Sequence, residues 1–122
     1  RKVYHKYLKD LKSNKIIQFQ EIKNKFKSSE YIFTILLNKN KLKCSRDELL
    51  SYLSKKNIGC TVHYMTTYNL SFYKNKFNHN KLTFNKEVCE NILSLPFHNN
   101  LKENEVKYIS KEINYFLNIN KK

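Results

Sequence analysis

Residues 46–97 read RDELLSYLSKKNIGCTVHYMTTYNLSFYKNKFNHNKLTFNKEVCENILSLPF, and this stretch decides the fold. Ser45 stands three residues ahead of Glu48 and introduces Leu49, Leu50 and Leu53. That is the Ser-x-x-Glu capping box, in which each side chain satisfies the other residue's free backbone donor. A helix over 46–56 follows, stopping at Asn57-Ile58-Gly59, with the chain's one glycine where a helix turns out into a strand. Cys60 to Tyr64 is expected as a short strand, and residues 65–72 as an aromatic and polar loop. Asn85 is expected to cap a helix over 86–94 with Val88, Cys89, Ile92 and Leu93 on its inner face, and Leu95-Pro96 ends it.

Working outward, Val3, Tyr4, Tyr7, Leu8 and Leu11 recur on one face of a helix over 2–12, interrupted by Ser13-Asn14. Ile16, Ile17 and Phe19 make a weak strand signal. Residues 31–37, YIFTILL, are β-branched and aromatic in a short continuous run, which predicts a buried strand. A last helix near 102–117 has Glu103 and Glu105 in its first turn, where acids suit the dipole, and Val106, Ile109, Ile113 and Phe116 as its buried stripe. The tail NINKK is expected to fray. These elements predict one α+β domain over residues 1–122, a small antiparallel or mixed sheet packed by about four helices.

Composition agrees with a folded, helix-rich domain: 40% hydrophobic and 14% aromatic residues, with a single glycine and a single proline. Arg1, not Met, opens the chain inside a helical pattern, so the sequence reads as a piece of something longer. The net charge of +14 raises a polyanion-binding module as an alternative function. Against it, arginine occurs only at Arg1 and Arg46. Arginine is the usual residue for bidentate phosphate and base contacts. The lysines are spread with asparagines over every segment, as on a solvated surface. Cys44, Cys60 and Cys89 have no CxxC spacing and suggest neither a disulfide framework nor a zinc site, which fits a reducing cytoplasm. No apolar run approaches the ~20 residues of a membrane span, and no signal peptide is visible.

Taken together, these pieces resemble the C-terminal small domain of the DegT/DnrJ/StrS-type sugar aminotransferases, which are fold-type-I pyridoxal-phosphate enzymes. The matching features are an arginine-led helix (Arg1, Tyr7, Leu8) and a serine-rich approach to an aromatic strand (Ser28-Ser29-Glu30-Tyr31-Ile32-Phe33). Then come Arg46-Asp47 with Leu49 and Leu53, Ile58-Gly59 through His63-Tyr64, Tyr73, Ser94-Leu95-Pro96, and a closing helix with Leu101 and Glu105-Val106. The resemblance covers nearly the whole chain. One departure falls at the loop after His63-Tyr64, where the family often has Pro-x-His. Here the sequence is Met65-Thr66-Thr67-Tyr68, with Tyr68 in place of the second histidine.

The resemblance implies ping-pong transfer of an amino group from glutamate to a nucleotide-linked keto-sugar, with pyridoxal phosphate held as a Schiff base. It also implies a homodimer at full length, and the composition above adds the expectation of a cytoplasmic protein with no membrane or nucleic-acid partner. The Schiff-base lysine, its acidic partner and the phosphate cup belong to the family's large N-terminal domain. This chain alone is therefore expected to bind no cofactor, hold no metal and catalyse nothing, and an inactive remnant is a further alternative. The implied substrate-binding residues are His63, Tyr64 and Tyr68, near a strand end that faces the large domain's cleft. The plainer alternative for His63 is a hydrogen-bonded structural histidine. Phe72 and Tyr73 are expected in the core and Arg46 in a surface ion pair, with phosphate binding as its alternative, while Cys60 and His63 have no further ligands beside them for a metal. The face carrying His63 and Tyr64 is expected to expose apolar surface.

Overall fold

The computed structural model of the protein describes residues 1–22, 27–67, 70–74, 76 and 83–122. In chain order the elements are α1 (Lys2–Leu11), β1 (Ile17–Gln18), β2 (Phe33–Leu37), α2 (Arg46–Lys55), α3 (Ser71–Lys74), α4 (Thr83–Asn91), β3 (Ile92–Leu95) and α5 (Glu103–Ile119), with a 3-10 turn at Lys39–Lys41. The strands form one antiparallel sheet in the order β1-β2-β3, with Phe33 opposite Leu95 and Ile35 opposite Leu93. Alternation along β2 buries Phe33, Ile35 and Leu37 on one face, as the strand period requires. Phe33 is the aromatic hub, stacked on Tyr7 at 4.9 Å and meeting Tyr4 edge-on at 5.1 Å. α5 packs against α1 and α2 through Val106, Ile109, Ile113, Phe116 and Leu117, so the expected stripe is the buried one. Asn14 and Asn114 tie the end of α1 to α5 through an amide–amide hydrogen bond of 2.9 Å.

The capping box at Ser45 and Glu48 is formed in both directions, the Ser45 amide donating to Glu48 Oε2 at 2.8 Å and the Glu48 amide to Ser45 Oγ at 3.2 Å. At the other end of α2 the turn chemistry differs from expectation. Asn57, not Gly59, takes the left-handed conformation, with φ of 58°. The Ile58 amide donates to the Leu53 carbonyl at 2.9 Å and the Asn57 amide to the Ser54 carbonyl at 3.0 Å, a Schellman motif with Ile58 folded back into the core. Asparagine is the side chain that best tolerates this conformation after glycine.

Three further expectations are corrected. The helix assigned to 86–94 starts at Thr83 and ends at Asn91, so Asn85 lies inside it, and Ile92–Leu95 is a strand. The helical spacing of Val88, Cys89, Ile92 and Leu93 ran across that boundary, where pairing with β2 takes over. Cys60–Tyr64 is not a strand; it makes one antiparallel bridge, Thr61 to Ser94, before turning away. The tail is pinned rather than frayed: Lys121 bridges Leu42, and the Lys43 amide donates to the Asn120 carbonyl at 2.8 Å.

Candidate functional site

The Thr61–Ser94 bridge sets the geometry of the site. The Ser94 amide donates to the Thr61 carbonyl at 2.8 Å, and the Thr61 amide donates back at 3.1 Å. This lays residues 61–63 along the outer edge of β3 and brings the His63 ring over Ser94, with Nδ1 2.8 Å from Oγ. Ser94 is 3% exposed, and its hydroxyl has no other hydrogen-bond partner among the described residues. His63 is half-buried, and its Nε2 is neither buried nor hydrogen-bonded among the described residues.

Tyr64 follows with its ring edge-on to His63 at 5.0 Å and is 69% exposed. Its hydroxyl lies beside that of Tyr31, and this neighbour raises the Tyr31 phenol above its usual value. Tyr31 is also exposed, because the strand begins only at Phe33. Before it, the Glu30 amide donates to Ser28 Oγ at 3.0 Å and Glu30 turns the chain at φ of 49°. Sequence reading counted Tyr31 as part of a buried strand and so missed it. The serine-rich approach ahead of it was the available signal. His63 and Tyr64 thus sit together, with Tyr31 an electrostatic neighbour of Tyr64 from a second segment. Tyr68 lies outside the described residues.

Apolar side chains beyond Tyr64 are open to solvent. Met65 is exposed, and so are Phe72 and, less fully, Tyr73, contrary to the expected core placement. α3 is a single turn and offers no second layer to bury them. Phe72 meets Tyr73 edge-on at 5.0 Å and carries the Lys76 ammonium over its ring at 3.9 Å. Thr66, by contrast, is buried with its hydroxyl unpartnered among the described residues. Beside His63, Tyr64 and Met65 are each 69% exposed.

Arg46 is not a phosphate ligand in this arrangement. Its Nη1 donates to the Ile92 carbonyl at 2.8 Å and the Cys89 carbonyl at 3.3 Å, and its Nε pairs with Asp47. The guanidinium thereby closes the C-terminal end of α4, where a cation also suits the dipole. Burial pushes the Cys60 thiol up to about 12, so it remains a neutral SH and a poor ligand or nucleophile. No group of three metal-binding side chains occurs among the described residues. A pyridoxal phosphate site requires a lysine amine facing the aldehyde carbon and an acid facing the pyridine nitrogen. Among the described residues, Lys6 pairs with Asp10 and Lys86 with Glu90 as neighbours on one helix face, and Lys56 pairs with Glu112 between the end of α2 and α5, where the Tyr52 hydroxyl already holds the carboxylate. The open basic cleft around Lys15, Lys41, Lys121 and Lys122 contains no acid. These residues do not fit the cofactor. No helix among the described residues is long and apolar enough to cross a membrane.

Comparison with known proteins identifies the family. A sequence profile of the DegT/DnrJ/EryC1/StrS aminotransferase family matches residues 1–114. The UDP-4-amino-4,6-dideoxy-N-acetyl-β-L-altrosamine transaminase of Campylobacter jejuni is 32% identical over 103 residues, covering 84% of this chain and 27% of the relative. Among solved structures, Helicobacter pylori PseC, an aminotransferase involved in pseudoaminic acid biosynthesis, superposes with a TM-score of 0.84 at 25% identity, over 97% of this chain and 32% of that one. The putative sugar aminotransferase Spr1654 of Streptococcus pneumoniae gives the same TM-score of 0.84 at 23% identity, over 97% and 30% of the two chains, which is a likeness of fold. The chain thus spans between a quarter and a third of the length of these relatives. It belongs to the DegT/DnrJ/EryC1/StrS aminotransferase family.

Proposed function

We propose, from that membership, that this chain is the C-terminal small domain of a pyridoxal-phosphate-dependent sugar aminotransferase. The whole protein would pass an amino group from glutamate to a nucleotide-linked keto-sugar, working as a cytoplasmic homodimer. The family match over residues 1–114 carries the reading. When bound, pyridoxal phosphate supplies the electron sink for transamination. Because the described residues do not fit it, its lysine and phosphate contacts are assigned to the large domain. The contribution of this chain is to bind and orient: His63, Tyr64 and Tyr68 contact the sugar nucleotide from one side of a cleft that the large domain completes. Imidazole and phenol groups suit this role because they hydrogen-bond to hydroxyl and phosphate oxygens without adding a fixed charge.

The polyanion-binding alternative has less support. The lysine-lined cleft at Lys15, Lys41, Lys121 and Lys122 contains no aromatic side chain on which a base would stack. The test is the DNA on the 5′ side of the Arg1 codon and the protein it encodes. An open frame carrying a strand-flanked lysine, whose product consumes glutamate with a UDP-linked 4-keto-sugar, supports the proposal. In that product His63→Ala is expected to raise KM for the sugar nucleotide by about tenfold, the equivalent of one good hydrogen bond. A stop codon or frameshift immediately upstream, or salt-sensitive binding of single-stranded RNA at physiological ionic strength, overturns it.

A further inference from the structure

Ser94 lies in the middle of β3, where its neighbours Leu93 and Leu95 belong to the core. A hydroxyl in such a place needs a partner, and the described residues provide one: His63 Nδ1, at 2.8 Å. Two proton arrangements fit that distance. In the first, Nδ1–H donates to the serine, whose own hydrogen is then buried without an acceptor. In the second, Oγ–H donates to Nδ1, and only serine lone pairs go unused. Native structures leave acceptors under-used far more readily than they bury orphaned donors. The second arrangement is therefore favoured, and in a neutral imidazole it forces the proton onto Nε2. Nε2 is the ring nitrogen that is neither buried nor hydrogen-bonded.

We infer that Ser94 is a positioning residue that holds His63 as its Nε2–H tautomer, so that the site presents a fixed donor to an oxygen acceptor of the sugar nucleotide. The ligand side of this inference rests on the proposed function; the tautomer does not. Position and tautomer have one source, since the Ser94 backbone bridges Thr61 while its side chain meets the ring two residues later. An Nε2–H donor suits a hydroxyl, carbonyl or phosphate oxygen and gives no preference for a cation.

The experiment is nitrogen-15 NMR of histidine-labelled chain above the titration range of imidazole. Histidine ring nitrogens with and without hydrogen resonate far apart. In the unsubstituted chain, His63 is expected to show a protonated Nε2 and a bare Nδ1. Ser94→Ala should replace this single tautomer with a mixture, and Ser94→Thr, which restores a hydroxyl and suits a strand, should recover it. Should Ser94→Ala fail to fold, Ser94→Cys keeps the volume while offering only a weak donor, and is expected to give the mixture. A protonated Nδ1 in the unsubstituted chain, or folded Ala and Cys variants with an unchanged spectrum, overturns the inference. Titration with UDP-N-acetylglucosamine then tests the ligand side in the complete protein, where Ser94→Ala is expected to weaken binding about fivefold. Unchanged affinity in this variant removes the recognition role while leaving the tautomer assignment intact. Absence of binding in every form removes the proposed function.

Discussion

Arg46 separates two accounts of how this domain is held together. If it serves only the ion pair with Asp47, replacing it should matter little, because Asp47 is 74% exposed and exposed pairs contribute about 0–1 kcal/mol. The geometry assigns it a larger role. The Arg46 side chain is 12% exposed, and its guanidinium donates to two carbonyls at the point where α4 becomes β3, at 2.8 Å and 3.3 Å. Charge-assisted hydrogen bonds of this kind contribute about 1.5–3 kcal/mol when well formed, and a cation at a helix C-terminus adds about 0.3–1 kcal/mol. Allowing for the rotamer entropy recovered when a long side chain is removed, Arg46→Ala is expected to cost about 2–3 kcal/mol. Arg46→Lys keeps the charge but loses the planar fork, and about half that loss is expected.

Urea unfolding followed by circular dichroism measures this directly. With an m-value of about 1.5 kcal/mol/M, the midpoint should fall by about 1.3–2 M for Arg46→Ala while m stays constant. The same substitution made in an Asp47→Ala background should cost nearly as much, since the capped carbonyls and not the acid are the partners that count. A loss below about 0.5 kcal/mol in either background would refute the capping argument and return Arg46 to the class of surface ion pairs.

At the end of α2 the left-handed residue is Asn57, so Asn57→Ala is expected to destabilise by about 1 kcal/mol and Asn57→Gly to be neutral or mildly stabilising. Gly59 has no positive φ and open space where a Cβ would stand, so Gly59→Ala should stabilise by up to about 1 kcal/mol, and a loss in thermal unfolding would contradict this. On the outer side of α2, burial and the 2.6 Å hydrogen bond to Glu112 push the Tyr52 phenol up to about 12. The unfolded value is about 10, so the contribution from Tyr52 is complete below pH 10 and is lost as pH rises through 12. Glu112 is held below the usual carboxylate range, first by that hydrogen bond, so its contribution is present above the unfolded value and fades as pH falls through the folded one. Tyr52→Phe should flatten both ends of a stability–pH profile, and a profile that is unchanged at alkaline pH would sink the assignment.

What could be read from the sequence, and what could not, follows from how far apart the interacting residues lie. The Ser45–Glu48 box and the stripe Val106, Ile109, Ile113, Phe116 are set within one or two helical turns, and both occur where periodicity put them. The end of α4 was not legible, because Ile92 and Leu93 continue the helical spacing of Val88 and Cys89. What ends the helix is the register with β2 and a guanidinium 46 residues away from Ile92. The tail looked frayed for the same reason: its partner, Leu42, lies far back in the chain. Asn57 was overlooked because glycine draws attention as the helix stop, though φ decides which residue performs it. The site divides in the same way. His63 and Tyr64 are adjacent in sequence, and the family resemblance pointed to them. Tyr31 and Ser94 come from other segments, and the sequence marks Ser94 only as the last residue of the expected helix and as part of the Ser94-Leu95-Pro96 family feature. With Leu93 and Leu95 on either side filling the core, an alanine would serve packing better, since a buried hydroxyl is costly unless it is partnered. Its partner is the histidine, which is why the orientation of His63 is better sought in β3 than in the loop that carries it.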